Sequence, residues 1–507
     1  MTSITLPEVW TADSNKALSV SLVNPDGTVL GKEFHPKFTY PIFGDAEAIY
    51  GYKDLSIQLK FGATDLAPFL NVSYSEKLDN AEALASVIEE VQKNLNAQEE
   101  NWEDAEEEVA QEDGDKENEQ DEKDDNGDDD EKPKNGDDPA TVIKKFLPDD
   151  IFTSESDWLS HLSSSATEFT PPGTLLTSYP TDDSTFEVWK CPISDPLQQK
   201  INARMQIFVL FFVEAGSYID ASDDRWRIYT LYSKSSDGVY KFAGFTTVYS
   251  YLYYKDAKSY DSSNPVPDKD SQDFFNLQHR KRISQFLILP PFQGHHHGAH
   301  LYNALMDEFY ADPLVKEVTV EDPNVAFDDL RDRCDIERLD RLGIFNDESF
   351  TDAPVSPEWI KFAREQSKIM PRQFERLVEM ALLRRLKKSN ARQYKAYRLQ
   401  VKQRLYKHNR EALKDLDRFE RVDKLDETYR GVEEDYYRIL QVLPAPEYVE
   451  PKITFRQYEE AHGRSGVIEK SKKEASSSGK GKGKKRAQLL EVPEESAADG
   501  TKRVRFE

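Results

Sequence analysis

The chain has 507 residues, a formal net charge of -27 and a mean hydropathy of -0.73, values that allow several domains but leave much of the sequence solvated. The charge is uneven: Glu99 to Asp138 holds 22 Asp and Glu against 4 Lys, a balance of -18, so the remainder is only mildly acidic. Two cysteines, Cys191 and Cys334, make no disulfide framework. No apolar run approaches the roughly 20 residues of a membrane span, and no apolar leader with a basic flank opens the sequence, so a soluble intracellular protein is expected.

In chain order, ALSVSLV, NPDG and TVLG over Ala17 to Gly31 predict a strand, a turn and a returning strand. LSIQLKF and FLNVSYS continue the short strands of a small mixed α/β domain. Between them, Gly44 to Glu47 forms a turn carrying Asp45 and Glu47, read either as a solvated turn or as an acidic surface for basic groups. The acidic tract from about Ala97 to Pro139 has almost nothing apolar after Trp102 and is expected to be disordered, as a solubilising insertion or an electrostatic collector for a basic partner.

The run MQIFVLFFVEAGSYID from Met205 reads as a central strand. DDRWRIYTLYS, the SSDG turn and VYKFAGFTTVYSYLYY predict a hairpin with a bulge or bend at Gly244, lying beside the strand that contains Ile283. Alternation places Tyr249 and Tyr251 on one face. After a polar loop, Ile283 to Leu289 is a strand stopped by Pro290-Pro291, and Leu301, Ala304, Leu305 and Phe309 then recur at helical spacing. Glu317 to Glu321 forms a further strand, ended by Pro323, with Asn324 as cap of the next helix. A loop feeding a helix start in this β-α-β-α unit offers unpaired N-H groups to an anion such as a pyrophosphate. His295, His296, His297 and His300 lack nearby cysteines or carboxylates to complete a metal site, and no metal is expected. Beyond Arg333, stretches such as PRQFERLVEMALLRRLKK predict a helical domain to about Leu443. Its basic face reads as the surface of a bundle more readily than as a nucleic-acid site. KSKK at Lys470 to Lys473 and KGKGKKR at Lys480 to Arg486 read as a bipartite nuclear localisation signal.

SQFLILPPFQ, the Gly298-Ala299 end of the following loop and VEDPN with FDDLRDR resemble the type B histone acetyltransferase catalytic subunits, a branch of the GNAT acetyltransferases. FTYPIFGDAEAIYGYKDL, DDRWRIYTLY and FTTVYSY extend the resemblance over most of the ordered chain. One glycine of the GNAT coenzyme motif falls on His296, which fits at negative φ and costs roughly 1 kcal/mol or more if the loop requires a left-handed residue.

The resemblance implies an α/β (α+β) fold. An N-terminal mixed domain spans 1–204 with a disordered insertion at 97–139, a GNAT core 205–345, a helical domain 346–445 and a largely disordered basic tail 446–507. It implies acetyl-CoA as co-substrate and a histone lysine as acceptor, chiefly in the tail of free histone H-four before chromatin deposition, with a WD-repeat histone-binding subunit as partner in nucleus and cytoplasm. By carry-over Glu321 is the general base, with Asp322 as the alternative. Phe286, Leu287 and Ile288 line the pantetheine path, with a backbone N-H of Leu287 or a neighbour facing the oxyanion. Gln293, Gly294, His295, His296, His297, Gly298 and Ala299 hold the pyrophosphate, and Asn324 and Arg333 bind farther along the coenzyme. Asp45, Glu47, Trp226, Tyr249 and Tyr251 contact the substrate. Readings outside this expectation are a GNAT enzyme for another protein or a polyamine, and a non-catalytic acidic histone escort.

Overall fold

A computed structural model describes residues 9–78, 84–89, 93, 137–254, 276–387 and 389–462. Nearly all of the acidic tract, the polar loop at 255–275 and both basic clusters of the C-terminal tail lie outside the described residues. The chain divides into two compact units, before and after Asp322.

The N-terminal part of the first unit holds a three-stranded sheet of β1 (Leu18–Val23), β2 (Ser56–Gly62) and β3 (Pro68–Ser73) in that order, β2 lying parallel to β1 and antiparallel to β3. The reversal at NPDG is present, with Gly27 at φ 83 and Asn24 N donating to Thr28 O at 2.8 Å. The returning arm forms only isolated bridges such as Val23 with Val29, because every residue of β1 is buried and its long partner is β2. Helices α1 (Pro139–Lys144) and α2 (Glu155–Ser165) follow. Arg204, almost wholly buried, ties this region together by bonding Asp65 and Asp150.

The larger sheet has six strands in the order β9-β8-β7-β6-β5-β4, where β4 is Thr174–Pro180, β5 Thr185–Pro192, β6 Trp226–Lys234, β7 Tyr240–Leu252, β8 His279–Ile288 and β9 Val315–Val320. All neighbours are antiparallel except β8 and β9. β4 and β5 belong to this sheet although the sequence reading put them in the domain ending at 204. The predicted hairpin is β6 and β7, with its irregularity where Leu231 pairs with Gly244. A Cβ on Gly244 would lie 2.5 Å from Leu287 O, so only glycine lets β7 approach β8 this closely.

One expectation fails outright. The run from Met205 is not a strand: α3 (Pro196–Met205), capped by Asp195, leads into α4 (Ile207–Phe212). Ile207 through Leu210 and Phe211 are buried, so the segment is apolar all round, and such a run carries no periodicity to separate helix from strand. Helix α5 (His297–Ala311) links β8 to β9 and buries Leu301, Ala304, Leu305 and Phe309 as its spacing predicts.

The second unit is helical: α6 (Val325–Arg341), α7 (Pro357–Ser367), α8 (Pro371–Arg385), α9 (Ala391–His408) and α10 (Arg418–Leu440). It begins at Pro323 rather than 346, because α6 packs with the later helices. Phe374, Leu377, Val378, Ala381 and Leu382 are all in its core.

Candidate active site

The site starts from a parting of two strands. β8 and β9 pair up to Ile283 with Val320, and Glu321 N then donates to Ile283 O at 2.9 Å. There β9 ends, while β8 runs on to Ile288, and among the described residues β7 is its strand partner there. No described strand pairs with the other edge of β8 over its last residues.

Which backbone groups face that edge follows from alternation after the bulge at Ser284. Gln285 N donates to Thr247 Oγ1 at 3.1 Å and Leu289 N to Ala243 O at 2.9 Å, both toward β7. Leu287 lies between them and opposite Phe245, so its peptide also faces β7 and is not the oxyanion donor. Phe286 and Ile288 have the opposite parity and face the other edge. Gln293 folds back there, its Nε2 donating to Ile288 O at 2.7 Å.

After the short turn at Pro290–Phe292, Gly294 at φ 82 and His296 at φ 62 bring the chain into α5. The loop does require a left-handed residue at His296. Helix α5 has no side-chain cap and no acidic residue in its first turn, so the N-H groups of His297, Gly298 and Ala299 form an uncapped positive end. A Cβ on Gly294 would meet nothing within 4 Å. His295 and His296 are exposed, whereas His297 is buried. Its ring stacks on Phe186, and burial with the neighbouring histidines pushes its pKa down to about 4. His297 is thus a neutral part of the core rather than a cation for phosphate. Among the described residues, no group of His, Cys, Asp or Glu is arranged to hold a metal ion.

Trp226, Tyr249 and Tyr251 share one sheet face. Trp226 pairs in register with Tyr249, their rings meet edge to face at 4.8 Å, and Tyr251 meets Tyr249 likewise at 4.6 Å. Two carboxylates flank these rings in different states. Asp223 is gripped through both of its oxygens by Arg225, at 2.9 and 2.6 Å, and accepts from Tyr249 OH at 2.8 Å. These bonds outweigh its partial burial and hold its pKa down to about 2. Glu321 is half-exposed, and among the described residues its ion pair is with Arg282, whose Nε lies 3.3 Å away. Each arginine also covers a ring, Arg225 over Tyr249 at 4.7 Å and Arg282 over Tyr251 at 4.9 Å.

Asp223, Arg225 and Arg282 were not singled out from the sequence. The spacing Asp223-x-Arg225 just before Trp226 was the available signal.

Asp322 is exposed at φ 33. Asn324 Oδ1 accepts from Phe327 N at 2.9 Å, so Asn324 and not Glu321 caps α6. Arg333, on the same helix, lies 3.9 Å from Asp329. In the N-terminal region Asp45 is exposed, but Glu47 is engaged: its carboxylate accepts from Thr39 N at 2.6 Å, Tyr40 N at 3.1 Å and Asn15 Nδ2 at 2.6 Å.

Comparison with known proteins places the chain in a family. The family described as "Histone acetyl transferase HAT1 N-terminus" matches residues 10–126 and 116–214, and "Fungal HAT1, C-terminal" matches residues 332–387. The chain is 38% identical over 441 residues to the histone acetyltransferase type B catalytic subunit of Kluyveromyces lactis, covering 86% of this chain and 93% of that one. The proteins of the same name from Candida albicans and Gibberella zeae are 36% and 32% identical, with 87% and 88% of this chain and 92% and 93% of theirs covered. A strand pair that parts beside an uncapped helix, with an acid at the parting and aromatic residues alongside, thus sits in a chain that belongs to the histone acetyltransferase type B catalytic subunit family of acyltransferases.

Proposed function

We propose that this protein transfers acetyl groups from acetyl-CoA directly to lysine side chains in the N-terminal tail of free, newly made histone H-four, in support of chromatin assembly. A WD-repeat histone-binding subunit is its expected partner. The two basic clusters of the tail favour a pool in the nucleus beside one in the cytoplasm. The observation that carries the reaction is the contrast between two carboxylates on one aromatic face. Asp223 is locked as an anion by Arg225 and Tyr249, whereas Glu321 is half-exposed at the parting of the strands, its ion pair among the described residues being the 3.3 Å approach of Arg282 Nε.

The residues present fit the coenzyme. The uncapped start of α5 and the open space at Gly294 suit a pyrophosphate, and the edge of β8 beyond its pairing with β9 suits an extended amide-bearing arm. Bound acetyl-CoA supplies an acetyl group activated as a thioester. Tyr249, Tyr251 and Trp226 hold the apolar stem of a lysine while its amine reaches past them. A free lysine has a pKa of about 10.4, so Glu321 takes one proton to free the nitrogen lone pair, nitrogen then bonds to the acetyl carbon, and as the C-S bond breaks the second nitrogen proton passes to the leaving thiolate. The backbone facing that edge at Ile288 or Phe286 is placed to donate to the developing oxyanion. Burial pushes the thiols of Cys191 and Cys334 up to about 12, which leaves neither as a thiolate for an acetyl-enzyme and favours direct attack by lysine.

The test is acetyl transfer from labelled acetyl-CoA to an H-four tail peptide, with spermidine as competing acceptor and Glu321→Gln alongside. We expect peptide acetylation, little spermidine product, and a loss of about 10²–10⁴-fold in the variant with coenzyme binding retained. A wild-type rate in Glu321→Gln removes its role as base. Preference for spermidine removes the histone reading.

A further inference from the structure

We infer that Arg282 is a positioning residue for Glu321, aiming the carboxylate at the acceptor amine from a platform made by Tyr251. This rests on the reading of Glu321 as the base.

Glu321 stands one residue beyond β9. Its backbone is fixed by the bond to Ile283 O, but nothing in the strand fixes its side chain. A base must present its lone pair within hydrogen-bond reach of the proton it removes, and a Glu side chain free to sample its rotamers spends little time there. Arg282 has the opposite character. It lies inside the sheet, in register with Tyr249 on β7 and with Thr319 on β9, so its backbone is held from both sides. Its guanidinium lies 4.9 Å from the centre of the Tyr251 ring, and from there Nε lies 3.3 Å from Glu321 Oε2. A guanidinium held over a ring has given up much of its freedom, so the charge it offers Glu321 comes from a fixed direction.

The neighbouring pair shows what a tighter grip would do. Arg225 likewise lies over a tyrosine ring, but it binds both oxygens of Asp223 through Nε and Nη2, and these bonds hold that carboxylate's pKa down to about 2. Among the described residues, Arg282 Nε meets Glu321 Oε2 at 3.3 Å as an ion pair without hydrogen-bond alignment. Orientation without capture is what a base requires.

The experiment is a double-mutant cycle on the full chain, with Arg282→Gln, Arg282→Lys, Glu321→Gln and the two double variants, reading kcat and KM for both substrates. Arg282→Gln should lower kcat about ten- to hundredfold and leave the coenzyme KM within twofold, as expected when a reacting group is misplaced by about 1 Å. Arg282→Lys keeps the charge but not the planar guanidinium over the ring and should recover part of the loss. In the Glu321→Gln background neither Arg282 change should slow the enzyme further, because the group it positions no longer acts. Losses that multiply in the double variants, or an unchanged kcat in Arg282→Gln, overturn the assignment. If Arg282→Gln fails to fold, Arg282→Lys and its double variant decide by the same criterion. Failure of the base itself reads differently, since Glu321→Gln alone would then keep the wild-type rate.

Discussion

Tyr179 on β4 places its hydroxyl 2.8 Å from Nδ1 of His297, the first residue of α5. Burial raises the phenol's pKa, so an O-H faces a neutral imidazole, and the tautomer of His297 sets which of the two donates. Protonating His297 would place a cation inside the core.

This gives the fold an acid limit. The unfolded chain takes up a proton on this histidine near its ordinary pKa of about 6.5, while the folded chain resists until about 4. Across that window the unfolded state binds more protons, so stability falls as pH falls. Urea unfolding at pH 7 and pH 5 should show a contribution from His297 of about 1–2 kcal/mol lost at the lower pH. His297→Phe should reduce the difference by that amount, and an equal loss in the variant would exclude this cause.

His296 adopts φ 62 and ψ 8, a conformation that costs most side chains about 1 kcal/mol but that histidine tolerates better than β-branched residues. His296→Gly relieves this strain but gives the unfolded chain more freedom, by about 0.4–1 kcal/mol. The two effects nearly cancel, so we expect a stability change within about 0.5 kcal/mol. His296→Val should destabilise by about 1–2 kcal/mol and weaken coenzyme binding. Thermal unfolding and coenzyme titration of both variants check this; equal behaviour of Gly and Val would mean that the backbone conformation is unimportant.

These cases show where sequence reasoning reached and where it stopped. The hairpin of β6 and β7, the strand before Pro290 and the buried face of α5 were legible because alternation and helical spacing are properties of single segments. The helix at Ile207 was not, since a segment buried on every side has no polar face to reveal its period. The direction of the Leu287 peptide depends on one bulged residue, Ser284, and a bulge is decided between strands. The grip of Arg225 on Asp223 was hidden for a related reason: DDRW opens one arm of the predicted hairpin, and the hydroxyl that completes the contact comes from Tyr249 on the other.

Asp45 and Glu47 separate a binding role from a structural one. Glu47 joins the backbone of Thr39 and Tyr40 to Asn15, and removing its carboxylate leaves those donors unsatisfied at about 1–3 kcal/mol each. Glu47→Ala should therefore lower the melting temperature clearly. Asp45→Asn should leave it within experimental error and raise the KM for a basic tail peptide severalfold, more at low salt than at high. If Asp45→Asn left the peptide KM unchanged at low salt, the turn would have no part in substrate binding.

Lys281 is buried in the middle of β8, on the sheet face opposite Arg282, with Nζ donating to Ser250 Oγ at 2.9 Å. Burial pushes its pKa down to about 8, assisted by the charges of Lys190 and Arg227 and opposed by Glu308 and Asp312. Between that value and the unfolded value of about 10.4, the unfolded chain holds a proton that the folded chain has lost, so this residue makes stability rise with pH across the window. At pH 7 the folded protein carries the full cost of a confined ammonium. Lys281→Met fills similar space without charge and gives up one hydrogen bond of about 1 kcal/mol, so it should stabilise the fold at pH 7 by about 1–2 kcal/mol. The advantage should shrink steadily toward pH 10 as the native lysine becomes neutral. Urea unfolding of the two proteins at pH 7 and pH 9.5 measures both parts. A Met variant less stable than wild type at pH 7 would mean that Ser250 and the nearby carboxylates fully offset the burial of this charge.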